Sequence, residues 1–190
     1  MNFFAYLNRM KFIKRWGLMR NGCDENVMEH SHQTAVIAHT LAVINNKIYG
    51  KNVNIERTVL FALYHEAGEV LTGDLPTPVK YLNNQISGAY KDLEALACKK
   101  LLKMLPDELE GEYENLLLPD VNSYEYKIVK YADKICAYIK CIEEVSCGNN
   151  EFKKAKSSIE KELKSINDYG VKYFLDNFIK SFSLSLDELE

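Results

Sequence analysis

Helix-breaking residues are scarce in this sequence, and the patterns typical of β-strands are missing from it. Its 190 residues include four prolines, which stand only at positions 76, 78, 106 and 119. No segment alternates apolar and polar residues over the length of a strand, and no Asn-Gly turn joins two apolar runs. The long proline-free tracts are rich in Ala, Leu, Glu and Lys, which favour helices. We therefore predict an all-α protein with a single domain over residues 1–190.

Other absences disfavour several classes of protein. The net charge is -3, so the chain lacks the basic excess of most proteins that bind a nucleic-acid polymer. No apolar run approaches a membrane span, and the first helix lacks the apolar core of a signal peptide. The five cysteines form no CxxC pair, and their odd number favours reduced thiols over disulfides, with a zinc–cysteine site as the alternative. We expect a cytoplasmic protein without nucleic-acid-polymer or membrane partners.

The spacing of apolar residues and caps predicts roughly six or seven helices. The second helix is expected from Glu25 or Asn26 to Tyr49. Asn54 is expected to cap a third helix that continues through Glu69, and Ser123 a long helix to about Cys147. The remaining helices are expected near 2–15, 87–104, after Pro106, after the Gly148-Asn149-Asn150 break, and near 168–182.

The histidines of the second helix are predicted to lie on opposite faces. At 100° per residue, His30 falls on the apolar stripe formed by Ile37, Leu41, Ile44 and Ile48. His32 and His39 fall nearly opposite and should face solvent. A lone buried histidine is more often satisfied by a backbone carbonyl than used as a ligand, so His30 alone does not indicate a site.

The predicted third helix carries three ionisable residues in an otherwise apolar segment: His65, Glu66 and Glu69. A buried carboxylate needs a cation, a metal or a hydrogen-bond donor, because leaving it unpaired is costly. Asp133 lies on the flank of the apolar stripe of the long helix, where a half-exposed aspartate is ordinary. Histidines and carboxylates at these positions suit a divalent ion such as zinc, manganese, cobalt or iron, and an internal His–Glu ion pair is the alternative.

The order of His30, His65-Glu66 and Asp133 resembles the H…HD…D pattern of the HD-domain metal-dependent phosphohydrolases. A longer run from Val70 to Tyr81, containing Leu-Thr-Gly-Asp-Leu-Pro-Thr-Pro-Val-Lys, resembles the bacterial 5′-deoxynucleotidase branch of that superfamily. Further matching segments extend over almost the whole chain and include Arg15-Trp16, Glu29-His30-Ser31, Gly148 to Phe152 and Leu184 to Glu188. The resemblance implies an HD-domain-like helical bundle, a homodimer, and hydrolysis of deoxynucleoside 5′-monophosphates to deoxynucleosides and phosphate.

The resemblance also implies roles for particular residues. The ligands of a divalent ion such as cobalt, manganese or zinc would be His30, His65, Glu66 and Asp133. Glu69 would activate or position the attacking water, since a carboxylate beside it can take its proton. Arg15 would contact phosphate, and Trp16 and Asp74 would form part of the sugar pocket. Without the resemblance, Arg15 suggests only a surface cation, Trp16 a core anchor and Asp74 a turn residue.

Glu66 departs from the family pattern, which has Asp immediately after the second histidine. Glutamate is one methylene longer, and a displacement of about 1 Å can cost about 10²-fold in rate. Three outcomes are open: a shifted but active site, an altered metal preference, or a weakened or inactive site. We expect a site that binds metal and retains activity. The alternative functions are HD-type hydrolysis of another nucleotide or phosphomonoester, and nucleotide binding by a catalytically weakened relative.

Overall fold

Helices make up the regular structure of residues 1–80 and 82–189, the part of the chain that this computed structural model describes. The prediction of an all-α fold is confirmed. Tyr81, the last residue of the predicted motif, and Glu190 lie outside the described residues. The α-helices are α1 (Phe3–Leu7), α2 (Val27–Lys47), α3 (Ile55–Tyr64), α4 (Glu69–Thr72), α5 (Thr77–Lys80), α6 (Asn84–Leu102), α7 (Asp107–Leu117), α8 (Tyr124–Ser146), α9 (Lys153–Ser165) and α10 (Tyr169–Asn177). Short 3₁₀ helices cover Asn8–Phe12, Asn150–Phe152, Ile179–Ser183 and Leu186–Glu188.

Helix α2 lies at the centre of the fold and packs against both α3 and α8. Its predicted apolar stripe is buried at Ile37, Leu41 and Ile44, while Ile48, just past the helix end, is exposed. The predicted stripe of α8 is buried along its whole length, at Ile128, Ala132, Ile135, Ile139 and Ile142. The packing of α2 on α8 brings polar residues at the edge of these stripes close to one another.

Side-chain caps explain why the two long helices begin where the sequence predicts. The side chain of Asn26 accepts the backbone N–H groups of Met28 and Glu29, and Glu29 reaches back to the Asn26 N–H to complete a capping box. The Ser123 hydroxyl accepts the N–H of Tyr126 at the start of α8. Caps are local signals, so both starting points follow from the sequence alone.

The third helix ends at Tyr64, earlier than predicted. His65 Nδ1–H donates to the carbonyl oxygen of Ala62 at 2.7 Å, an acceptor that a continuing helix would offer to a backbone N–H. The chain then tightens into turns, with Ala67 N–H bonded to Tyr64 O and Glu69 N–H to Glu66 O. The expectation of a helix running through Glu69 is therefore wrong, and Glu69 instead begins the short helix α4.

The first helix is also shorter than predicted: α1 ends at Leu7, a 3₁₀ helix covers Asn8–Phe12, and residues 13–26 form an irregular loop. Arg15 N–H bonds to Glu25 O at 2.9 Å and Val27 N–H bonds to Ile13 O at 3.0 Å, so this backbone pairs across the loop. Lys14 and Asn26 form an isolated antiparallel bridge there. We call residues 13–26 the Arg15 loop.

A buried carboxylate on α8 anchors the far end of the Arg15 loop. Glu144 accepts the N–H groups of Gly22 and Cys23 and the side chains of Lys140 and Asn149. Lys140 in turn donates to the carbonyl of Cys23 at 2.5 Å. Although burial acts to raise it, these donors lower the pKa of Glu144 to about 2.

Replacing Glu144 with Ala is expected to destabilise the protein by roughly 3–5 kcal/mol at pH 7, because it leaves the buried Lys140 without its counter-charge. The carboxylate stabilises the fold fully above its unfolded pKa and ceases to do so as the pH falls toward its folded pKa. The difference in unfolding free energy between the two proteins should therefore narrow between pH 4.5 and about 2. Urea unfolding over that range measures it.

The neighbouring exposed Glu143, changed to Ala, is the matched control and should alter stability little. If the difference in unfolding free energy between the unchanged protein and Glu144→Ala stayed constant from neutral pH to about 2, the ionised carboxylate would not be what anchors the loop.

Candidate active site

Four side chains from three parts of the chain converge beside the α2–α8 contact. They are His30 of α2, His65 and Glu66 of the turn after α3, and Asp133 of α8, and each offers one ligand atom within 4.8 Å of the other three. The side chains of both histidines are fully buried, and that of Asp133 is half-buried. We call these residues the metal cluster, since such a group of imidazoles and carboxylates can hold a metal ion.

The tautomer of His65 is fixed by its contact with α3. Because the carbonyl of Ala62 can only accept, the Nδ1 atom bonded to it must carry the hydrogen. Burial lowers the pKa of His65 to about 4, so the ring is neutral near pH 7 and Nε2 has a free lone pair. A buried imidazole whose other nitrogen is held by a carbonyl is the usual form of a metal-binding histidine.

The surroundings of that lone pair fit a cation. Nε2 of His65 is buried, has no hydrogen-bond partner within residues 1–80 and 82–189, and lies 3.3 Å from Oε1 of Glu66. Two electron-rich atoms at this distance repel each other unless a positive charge is shared between them. The donor set of nitrogen and oxygen atoms therefore fits a divalent metal ion, without selecting one element.

His30 presents one nitrogen to the metal cluster and the other to the Arg15 loop. Its Nε2 lies 3.0 Å from Oδ1 of Asp133, and Thr34 Oγ1 lies 3.4 Å from the same nitrogen. Its Nδ1 lies 3.8 Å from Oε1 of Glu25. Because Asp133 belongs to the cluster and Glu25 does not, Nε2 is the nitrogen that faces the cluster.

Glu69 is a second buried carboxylate beside the metal cluster. It is 3% exposed, and its Oε2 has no hydrogen-bond partner in the described part of the chain. Burial and the nearby carboxylates of Glu66 and Asp74 raise its pKa to about 10. Glu69 is thus near enough to both carboxylates to be affected by their charge, and a cation bound in the cluster would lower its pKa.

Arg15 and Trp16 approach the same place from the Arg15 loop. Nε of Arg15 and Nε1 of Trp16 donate to the same oxygen, Oε2 of Glu25, at 3.2 and 2.9 Å. Burial acts to lower the pKa of Arg15, but the nearby carboxylates, Asp133 first and Glu25 next, raise it. A guanidinium beside an acid cluster is suited to hold an anion such as phosphate.

The backbone of Trp16 is held in an unusual conformation. Its φ is +59°, the left-handed region that a bulky residue occupies only at a cost of about 1–2 kcal/mol. The N–H of Met19 and the side-chain amide of Asn21 donate to the Trp16 carbonyl, and its indole packs on Phe152 with ring centroids 5.4 Å apart. These contacts fix the direction of the indole toward Glu25.

The structure thus brings the residues predicted to form the site into one region. His30 is buried, while His32 and His39 are exposed, as their helical positions predict. The side chain of Glu66 reaches the cluster despite its extra methylene. The other predicted residues, Arg15, Trp16, Glu69 and Asp74, surround it. Sequence reasoning assigned no role to Glu25, a carboxylate just before a helix cap in a segment that resembles the family.

Comparison with known proteins identifies the family. Residues 2–182 match the family described as 5′-deoxynucleotidase YfbR-like. The chain belongs to this family. A curated relative from Klebsiella pneumoniae (strain MGH 78578), named as a 5′-deoxynucleotidase, is 54% identical over 99% of this chain and 95% of the relative.

Solved structures agree with this membership of the YfbR-like family. An HD-domain phosphohydrolase from Listeria innocua matches with a TM-score of 0.84 and 25% identity, over 95% of this chain and 88% of that one. The HD phosphohydrolase DatZ of cyanophage S-2L, solved with dA and one catalytic Zn²⁺ ion bound, matches with a TM-score of 0.61 and 17% identity, over 94% and 95%. The similarity to DatZ supports only the HD fold, because the sequence identity is low.

Two further sequence expectations can be compared with the structure. All five cysteines are free thiols, as expected. Across the ranges 1–80 and 82–189, we find no helix with the length and apolar character that crossing a membrane requires.

Proposed function

We propose that this chain hydrolyses deoxynucleoside 5′-monophosphates to deoxynucleosides and inorganic phosphate. The observation that carries the proposal is the placement of Glu69 and Arg15 beside the four-residue metal cluster, in a chain of the YfbR-like family. The names of its relatives, 5′-deoxynucleotidases at above 50% identity, support this substrate class.

His30, His65, Glu66 and Asp133 would hold the divalent ion. When bound, the ion supplies Lewis acidity, acidifying water and neutralising charge on phosphate oxygens. The protein fixes the donors beforehand: Ala62 orients His65, and Asp133 lies against His30. The residue-level assignment is a proposal that the geometry supports.

Glu69 would take the proton from the attacking water. Its carboxylate lies outside the set of cluster ligands, is nearly buried, and has an oxygen without a partner in the described structure. Burial keeps this carboxyl protonated in the absence of a metal, whereas a cation bound in the cluster would favour the ionised carboxylate, which is the form that accepts a proton.

Arg15 would hold the 5′-phosphate, while Trp16 and Asp74 would recognise the sugar. The Arg15 guanidinium is oriented by Glu25 through Nε, which leaves its terminal nitrogens available to phosphate oxygens. Asp74 follows Gly73, whose φ of +72° ends α4, and its carboxyl is close enough to Arg15 and Glu66 for their charges to affect its pKa. A carboxylate there can accept a hydrogen bond from a sugar hydroxyl, and the indole of Trp16 would contact the sugar from the Arg15 loop. The homodimer, the cytoplasmic location and the single domain remain predictions.

Analysis of products tests this function against other HD-type activities. The full-length protein with added Mn²⁺ is incubated separately with dAMP and dATP, and the products are separated by chromatography. We expect deoxyadenosine and inorganic phosphate from dAMP. Release of pyrophosphate or triphosphate from dATP, with dAMP left intact, would replace the proposed function with nucleoside triphosphate hydrolysis.

A further inference from the structure

We propose that Glu25 is a positioning residue that joins the substrate-binding side chains to the metal cluster. One of its carboxylate oxygens orients Arg15 and Trp16, and the other faces the ring of His30. The nucleotide half of this inference rests on the proposed function, whereas the metal half depends only on the cluster.

One oxygen of Glu25 is an acceptor shared by two side chains. Arg15 and Trp16 are consecutive, yet both side chains turn back on Oε2 of Glu25. Glu25 is 14% exposed and Arg15 is 12% exposed, so the ion pair is shielded from water and stronger than a surface pair. The backbone bond from Arg15 N–H to Glu25 O holds the two residues side by side as well.

The other oxygen of Glu25 faces Nδ1 of His30, the ring nitrogen that points away from the metal cluster. Nδ1 is fully buried and no atom of residues 1–80 or 82–189 makes a hydrogen bond to it, while Oε1 of Glu25 lies 3.8 Å away. For Nε2 to offer its lone pair to a metal, the hydrogen must be on Nδ1. A carboxylate facing that Nδ1–H stabilises this tautomer and the ring orientation, the role outer carboxylates play in many metal sites.

Each oxygen of Glu25 therefore has a separate task, and both tasks require an acceptor. Glutamine offers one oxygen and one NH₂ group. If its oxygen stays with Arg15 and Trp16, its NH₂ faces His30 Nδ1 and favours the tautomer with the hydrogen on Nε2. We expect this orientation because Arg15 and Trp16 are two donors, one of them charged, and both need the amide oxygen as their acceptor.

Glu25→Gln and Glu25→Ala are compared with Asp24→Asn, a matched control that removes the neighbouring, exposed carboxylate of the same loop. The metal-stripped full-length proteins are titrated with Co²⁺, and binding is followed by its visible absorption. KM and kcat for dAMP are measured separately at saturating Co²⁺. Thermal unfolding of each metal-free protein shows whether the fold is retained.

Glu25→Gln should weaken Co²⁺ binding by about 10–100-fold, the usual effect of an outer-sphere change, and leave KM for dAMP within about threefold. Glu25→Ala should weaken Co²⁺ binding similarly and raise KM about tenfold or more, because Arg15 and Trp16 lose their shared acceptor. Asp24→Asn should change neither quantity.

The proposal would be overturned if Glu25→Gln bound Co²⁺ with an affinity within about threefold of that of the unchanged protein. It would also be overturned if Glu25→Ala had an unchanged KM for dAMP. Failure of the proposed function is a separate result: the unchanged protein would release no phosphate from dAMP. The Co²⁺ titration still decides whether Glu25 supports His30 in that case.

Discussion

Replacing Glu69 with Gln lowers the rate of phosphate release from dAMP by about 10²–10⁴-fold and leaves Co²⁺ bound, in our account. Glutamine keeps the shape of the side chain but cannot accept a proton from water. Because Glu69 supplies no ligand to the metal cluster, Co²⁺ should stay bound, with its affinity lowered by no more than the roughly 10–100-fold that changes outside the ligand set produce. Steady-state phosphate release and Co²⁺ titration measure the two quantities on the same samples.

The exposed Glu56, in the first turn of α3, serves as the control when changed to Gln. It removes one carboxylate from the helix that leads to the site and should leave turnover intact. Turnover of Glu69→Gln equal to that of the control would remove Glu69 from the mechanism and leave the proton acceptor to be found elsewhere.

His65→Ala should abolish both metal binding and turnover. The substitution removes a proposed ligand whose ring is oriented by the bond to Ala62, so the loss of Co²⁺ affinity should exceed the roughly 100-fold that changes outside the ligand set produce. Metal content after dialysis and phosphate release from dAMP measure the effect.

His32→Ala is the matched control, since His32 lies on the exposed face of α2. It should retain the metal and the activity. A His65→Ala protein that retains Co²⁺ as tightly as this control would show that the metal, if it binds, is held by other side chains.

Local signals made much of the fold predictable. The predicted helix starts near Asn26 and at the Ser123 cap agree with the starts of α2 and α8, and the apolar period of α8 predicted its buried face. The end of α3 was not predictable, because it depends on a side-chain bond from His65 to the backbone. The Arg15 loop was not predictable either, since its backbone pairs residues ten positions apart.

The site, too, has residues that local patterns predict and residues that they do not. Helical spacing alone places His30 on a buried face, but it gave no reason to select Asp133, which only the family resemblance selected. Whether the longer Glu66 reaches the metal cluster depends on the turn after α3, and that turn appears only in three dimensions. The role proposed for Glu25 is not predictable from the sequence, because it depends on three side chains that converge on one carboxylate in the folded protein.

The most direct test of the central claim is phosphate release from dAMP and AMP by metal-stripped full-length protein, before and after resupply of Mn²⁺ or Co²⁺. We predict no release before resupply, rapid release from dAMP afterwards, and much slower release from AMP. Equal rates on dAMP and AMP, or no release from either while the metal is bound, would contradict a metal-dependent 5′-deoxynucleotidase.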